Sequence, residues 1–193
     1  GEYARGGVGR VLLVHDEHLG RDVALKELLP LPAEAADSPT PIRISMSKLA
    51  RFLQEARITG QLEHPSIVPV YELGRRRDGS LYYTMKLVRG KTLSHVLRDS
   101  PAIVDRLLML PHFLDLCHAI AYAHSRGVLH RDIKPGNILI DEAGAPLLAD
   151  FGIAKIRGEG QHSEFTVQHF RSGPYAPPEL DAPLPYVRDV YSI

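Results

Sequence analysis

The spacing of apolar and polar positions changes along the chain, and the changes mark out its organisation. Arg10-Val11-Leu12-Leu13-Val14-His15 and Val23-Ala24-Leu25-Lys26 are apolar and β-branched, and the polar stretch 17–21 between them holds Gly20. This predicts two strands joined by a turn. Pro30, Pro32, Pro39 and Pro41 then exclude regular structure and predict a long loop. Leu49, Phe52, Leu53 and Ala56 recur at i, i+3, i+4 and i+7, which predicts a helix capped by Ser45 or Ser47 and ended at Gly60. Residues 67–73 and 80–87 read as a hairpin around the solvated basic turn Arg75-Arg76-Arg77-Asp78-Gly79. After residues 86–90 the period becomes helical. Thr92 caps a short helix, and residues 104–125 form a long one with Pro111 as a bend. Strands with one helix, then mostly helices, predict an α+β fold of two lobes, residues 1–88 and 89–193, with a hinge near 86–90.

Composition narrows the function classes. The 193 residues are 44% hydrophobic and 24% charged, which suffices for a core and excludes a disordered tail or a disulfide scaffold. With 23 basic and 23 acidic side chains the net charge is zero, so neither nucleic acid nor an anionic membrane surface is an expected partner. The apolar stretch 107–125 carries Pro111, Asp115 and three histidines, which excludes a membrane helix there. The single Cys117, set among Leu114, Leu116, Ile120 and Ala121, reads as an inert core thiol in a reducing, cytoplasmic setting. The chain opens on Gly1 without an initiator Met and stops in an apolar run at Ile193. It therefore reads as a piece of something longer, which leaves room for a membrane span outside it.

The most specific segment is His130-Arg131-Asp132-Ile133-Lys134-Pro135-Gly136-Asn137, followed by Asp150-Phe151-Gly152. Eight fixed positions at about one in twenty each put a chance match on the order of 10⁻¹⁰ per start site. The two motifs resemble the catalytic loop and metal-binding motif of protein kinases. Over its whole length the chain is similar to the bacterial, eukaryotic-like (Hanks-type) serine/threonine kinases. The resemblance implies a two-lobed kinase fold with a strand-rich N-lobe. The helical C-lobe would be truncated at the start of its central helix, near Asp189. ATP, Mg²⁺ or Mn²⁺ and protein Ser/Thr acceptors are implied with it, as is a dimer for autophosphorylation.

Phosphoryl transfer needs in-line positioning and neutralised charge more than covalent help. On the resemblance, Asp132 orients the attacking hydroxyl, Lys134 reaches the γ-phosphate, and Asn137 and Asp150 are the hard oxygen ligands that Mg²⁺ prefers. Lys26 is the strand lysine for the α- and β-phosphates, and Glu55 is its helix partner; the proline-rich loop accounts for their unusually long separation. The glycine-rich loop falls on Ala4, Gly6, Gly9 and Val11, with Ala4 in place of the first glycine. Met85 takes the gatekeeper position. The backbone of Lys86 and Val88 would meet the adenine edge, and Val11, Ala24 and Leu139 its faces. Tyr175-Ala176-Pro177-Pro178-Glu179 resembles the end of an activation segment. Ser172 keeps the hydroxyl that bonds the catalytic Asp and Lys. Thr166 or Ser163, phosphorylated, would pair with Arg131 and Lys155 and order that segment.

Two other readings remain at this level. Ala4 and the altered Arg171-Ser172-Gly173 fit a nucleotide-binding pseudokinase or scaffold, against the presence of Lys26, Asp132, Asn137 and Asp150. A small-molecule phosphotransferase shares the Asp, Asn and Asp set, but Lys134 and the Pro-Glu ending favour a protein substrate.

Overall fold

Two apolar-rich segments of equal length set the first sheet. The computed structural model describes residues 2–5, 9–29, 46–100, 102–151 and 155–156. Strands β2 (Gly9–Asp16) and β3 (Arg21–Leu28) pair antiparallel from Gly9↔Leu28 to Asp16↔Arg21. Asp16 builds the turn: its Oδ1 accepts from the backbone N–H of His18 at 3.1 Å and of Leu19 at 3.2 Å, and Gly20 takes φ 61°. Strands β1 (Glu2–Arg5), β4 (Val70–Arg75) and β5 (Leu81–Lys86) complete a five-stranded antiparallel sheet in the order β1-β2-β3-β5-β4. At Gly9 a Cβ would lie 2.2 Å from the Glu27 carbonyl oxygen, so the close approach of β2 to β3 itself demands glycine.

Directly paired residues project to the same face of a sheet. Val11 opposes Lys26, Lys26 opposes Tyr83, and Ala24 opposes Met85, so these residues share one face. Helix α1 (Met46–Thr59) packs on it through a core of Leu28, Phe52, Ala56 and Tyr83, flanked by Leu49, Val70, Leu81 and Met85. Full burial of Phe52 alone contributes about 1.5–3 kcal/mol. The Gly60 N–H donates to the Ala56 carbonyl at 2.9 Å and closes the last turn, as the sequence predicts. Ser47 lies inside α1 rather than at its cap; Ser45 and the proline-rich loop fall outside the described residues.

On the opposite face Glu27 is buried. Arg10 Nε donates to its Oε1, and Arg76 Nη2 sits 3.2 Å from its Oε2. A buried carboxylate without such partners would be costly. The expected solvated turn 75–79 thus sends one arginine back onto the sheet.

The chain divides into Gly1–Gly60 with Pro69–Leu87, and Gln61–Val68 with Val88–Ile193. Segment 61–68, placed on the first lobe by the sequence, belongs to the second unit. The Val68 N–H donates to Leu148 O at 3.0 Å, the Leu148 N–H donates to Ser66 O at 2.8 Å, and Ile67 bridges Leu148 in parallel. Ile67 and Val68 therefore do not extend β4, whose hairpin with β5 begins at Val70.

In the second unit β6 (Gly90–Thr92), β8 (Ile138–Asp141) and β9 (Pro146–Leu148) form a three-stranded sheet in the order β6-β8-β9. Helix α2 (Leu93–Asp99) is capped by Thr92, whose Oγ1 accepts from the His95 N–H at 3.3 Å. The long helix expected over 104–125 is two: α3 (Ile103–Leu107) and α4 (Leu110–Ser125). Pro111 sits in the first turn of α4, where its missing N–H costs nothing, and its ring would clash with a continuous preceding turn. Rather than bending a helix, it starts one. Leu116, Ala119, Ile120 and Ala123 form the buried stripe of α4, which packs on β9 and on β7 (Val128–Leu129). Leu114 is 58% exposed and Cys117 is half-buried, so that part of the expected core lies outside the stripe. Strand β10 (Lys155–Ile156) pairs with β7. No helix among the described residues is long and apolar enough to cross a membrane.

Candidate active site

In the first unit the expected lysine and glutamate meet. Lys26 Nζ donates to Glu55 Oε1 at 2.6 Å. The Glu55 side chain is 3% exposed and that of Lys26 14%, so the pair sits in a poorly screened environment. Tyr83 OH donates to the same Oε1 at 2.7 Å, and Lys26 Nζ lies 5.8 Å from the Tyr83 ring centroid. Val11 is half-buried, Ala24 buried and Met85 half-buried on the face that carries Lys26. Ala4 lies on β1 opposite Val11; Gly6 is outside the described residues.

In the second unit the loop 130–137 gathers its polar groups around one carboxylate. Lys134 Nζ donates to Asp132 Oδ2 at 2.7 Å, and Asn137 Nδ2 donates to the same atom at 3.0 Å and to the Asp132 carbonyl at 2.8 Å. A short 3₁₀ turn, Pro135–Asn137, makes this reach possible, because it returns Asn137 to the residue five positions earlier. The Ala149 N–H donates to Asn137 O at 2.9 Å and ties Asp150 to the same loop.

Arg131 at φ 67° and Asp150 at φ 64° are the positive-φ residues other than glycine among those described. Each such conformation costs on the order of 1–3 kcal/mol and persists only when its surroundings hold it. His130 supplies that hold. Its Nδ1 accepts from the Asp132 N–H at 3.2 Å, across Arg131, and its Nε2 meets Ala149 O at 3.1 Å, beside Asp150. A backbone N–H only donates, so Nδ1 carries no proton and Nε2–H is the donor to Ala149. The ring is 1% exposed and packs on Phe151 with centroids 4.5 Å apart. The sequence pattern alone assigns no role to His130 or to Tyr83.

The donor set fits a hard divalent ion. Asn137 commits its amide nitrogen to Asp132, so its side-chain oxygen is the ligand atom it has to offer, and Asp150 adds a carboxylate. Among the described residues no group of three or more His, Cys, Asp or Glu could hold a metal. Val88 is buried, the Lys86 side chain is exposed, and Leu139 is half-buried on β8 opposite Leu147. Lys155 opposes Leu129. Ser163, Thr166 and Ser172 lie outside the described residues.

The protein kinase domain profile matches residues 3–193. The chain is 36% identical over 171 residues to serine/threonine-protein kinase PknD of Protochlamydia amoebophila, covering 83% of this chain and 16% of that protein. It is 40% identical over 161 residues to PknD of Chlamydia muridarum, covering 78% of this chain and 16% of the relative. With the DNA damage-responsive serine/threonine-protein kinase RqkA of Deinococcus radiodurans it shares 34% over 160 residues, 81% of this chain and 22% of that one. The chain thus spans less than a quarter of each relative's length. A profile match from end to end, on a chain whose Lys26–Glu55 pair and Asp132 cluster are both assembled, shows that it belongs to the protein kinase domain family, in the bacterial serine/threonine class.

Proposed function

We propose that this chain is the catalytic part of an ATP-dependent kinase that phosphorylates Ser and Thr side chains of proteins, itself included. The observation that carries the reading is the convergence of Lys134 and Asn137 on Asp132 Oδ2, at 2.7 and 3.0 Å. A carboxylate held by two donors is fixed in direction and still accepts a further hydrogen bond. It can therefore take the hydrogen bond of an acceptor hydroxyl. The hydroxyl oxygen forms a bond to the γ-phosphorus, the bond from that phosphorus to the β–γ bridging oxygen breaks, and ADP leaves with its electron pair. The hydroxyl proton passes to Asp132, and Lys134 faces the charge on the transferred group. Mg²⁺ or Mn²⁺, when bound by Asn137 and Asp150, supplies neutralisation of the phosphate charge. Lys26, aimed by Glu55, binds the α- and β-phosphates.

In the same reading the first unit is the nucleotide lobe and the second the substrate lobe. The loop of Ala4, Gly6 and Gly9 covers the phosphates. On the first unit adenine lies against Val11 and Ala24, near Met85 and the backbone of Lys86. Thr166 or Ser163, phosphorylated within a dimer, pairs with Arg131 and Lys155, and Ser172 bonds the catalytic Asp and Lys. The setting is cytoplasmic, with no nucleic acid or membrane contact from this segment.

The test is transfer of ³²P from ATP with Mg²⁺, by the full-length protein, to a generic basic protein or to itself. Asp132→Asn should lose most turnover, on the order of 10²–10⁴-fold, and keep nucleotide affinity, because Asp132 touches the acceptor and not ATP. Normal turnover in that variant would remove Asp132 from its role.

A further inference from the structure

Glu55 Oε1 accepts two hydrogen bonds, one from Lys26 at 2.6 Å and one from Tyr83 OH at 2.7 Å. The two donors stand on neighbouring strands in direct register, β3 and β5, and so reach the helix glutamate from the same sheet face. Tyr83 is 3% exposed, and its ring packs on Phe52, one turn before Glu55 on α1, with centroids 5.2 Å apart. The tyrosine therefore grips α1 at two points, an apolar one and a polar one.

From this arrangement we propose that Tyr83 is a positioning residue for phosphoryl transfer. Its hydroxyl fixes the Glu55 carboxylate where Lys26 must meet it, whether or not nucleotide is bound. The lysine cannot do this alone, because a four-carbon stem with a rotatable ammonium follows the carboxylate wherever it goes. A phenol has two side-chain torsions, and here the ring is already locked by packing. Its O–H bond to a buried carboxylate is charge-assisted and strongly directional. The inference rests on the phosphoryl-transfer reading for its consequence and on the three-way geometry for its substance.

The experiment is a double-mutant cycle of Tyr83→Phe and Glu55→Gln, with melting temperature as the folding control. Tyr83→Phe keeps the ring and the Phe52 contact. It should lower kcat/KM for ATP on the order of tenfold, the effect of one charge-assisted hydrogen bond. In the Glu55→Gln background the same change should move kcat/KM by less than about twofold, because residues acting as a unit are not additive. A hydroxyl that only satisfies the core would lower the melting temperature equally in both backgrounds and leave kcat/KM alone. Unchanged kcat/KM in Tyr83→Phe, or the same loss in both backgrounds, overturns the proposal. Should Glu55→Gln fail to fold, Lys26→Met serves as the second background. If the unmutated full-length protein transfers no phosphate, the functional reading falls. The cycle is then read in the dissociation constant of a fluorescent trinitrophenyl-ATP, where coupling between the two sites upholds the positioning role and additivity refutes it.

Discussion

His130→Phe separates the hydrogen bonds of a buried histidine from its shape. The ring is 1% exposed and packs on Phe151 at 4.5 Å, so a phenyl group of similar size keeps the apolar contact. It removes the acceptor for the Asp132 N–H, 3.2 Å away, and the donor to Ala149 O, 3.1 Å away. Two such neutral hydrogen bonds contribute about 1–3 kcal/mol net. A loss of about 2 kcal/mol in a chain of this length lowers the melting temperature by about 4–8 °C. His130→Ala should fall further, by about 2 kcal/mol, because it adds a cavity to the same lost bonds.

The kinetic effect should exceed the thermal one. The two bonds straddle Arg131 and adjoin Asp150, the residues at φ 67° and 64°. Without them both backbones relax toward ordinary conformations, and Asp132 turns away from Lys134 and Asn137. Misplacing a reacting group by about 1 Å costs on the order of 10²-fold. At a temperature where circular dichroism shows His130→Phe fully folded, kcat for ³²P transfer should be down by about that factor. A melt lowered as expected with kcat untouched would show that the histidine holds the fold and does not aim the carboxylate. A variant equal to the parent in both would refute the bridge altogether.

Lys26→Met and Glu55→Gln should each cut turnover by about 10²-fold or more, and the double variant should be little worse than the worse single one; fully additive losses would mean that the 2.6 Å pair does not act as a unit. Burial, and then the nearby His118, lower the pKa of His64 below its ordinary 6.5, with Asp115 opposing. Neutral His64 therefore contributes stability that is present above about pH 6.5 and is lost as pH falls toward the depressed folded value. His64→Asn, which keeps an acceptor for the Ser66 N–H (3.1 Å to Nδ1), should flatten the acid side of the melting-temperature profile; an unchanged profile would count against His64. Mass spectrometry after incubation with ATP should find phosphate on Thr166 or Ser163, and Thr166→Ala should slow activation. A fully active chain with both sites unmodified would dispose of the pairing with Arg131.

The cluster on Asp132 was legible because its members are close in sequence. Asp132, Lys134 and Asn137 lie within six consecutive positions, and their types are those that the proposed transfer of phosphate to a hydroxyl requires. Lys26 and Glu55 were legible through the family likeness alone, since an intervening proline-rich loop erases any spacing signal. What stayed hidden was decided by partners distant in the chain. Strand alternation puts Tyr83 on the helix-facing side but says nothing of where its hydroxyl ends. Nothing near Glu27 in the sequence marks it as buried; Arg10 and Arg76, distant in the chain, are what close over it. Ile67-Val68 has the composition of either sheet, and only the bonds to Leu148 and from Leu148 to Ser66 assign it. The break before α4 depended on which turn of the helix Pro111 would occupy. His130 is the clearest case, because its tautomer and its bond to Ala149 follow from a fold that brings positions 130 and 149 together. Residues that react are constrained by the chemistry of the substrate, which is the same for every chain in the family. Residues that hold them in place are constrained only by which buried N–H, hydroxyl or carboxylate of this chain needs a partner, and that is fixed when the chain has folded.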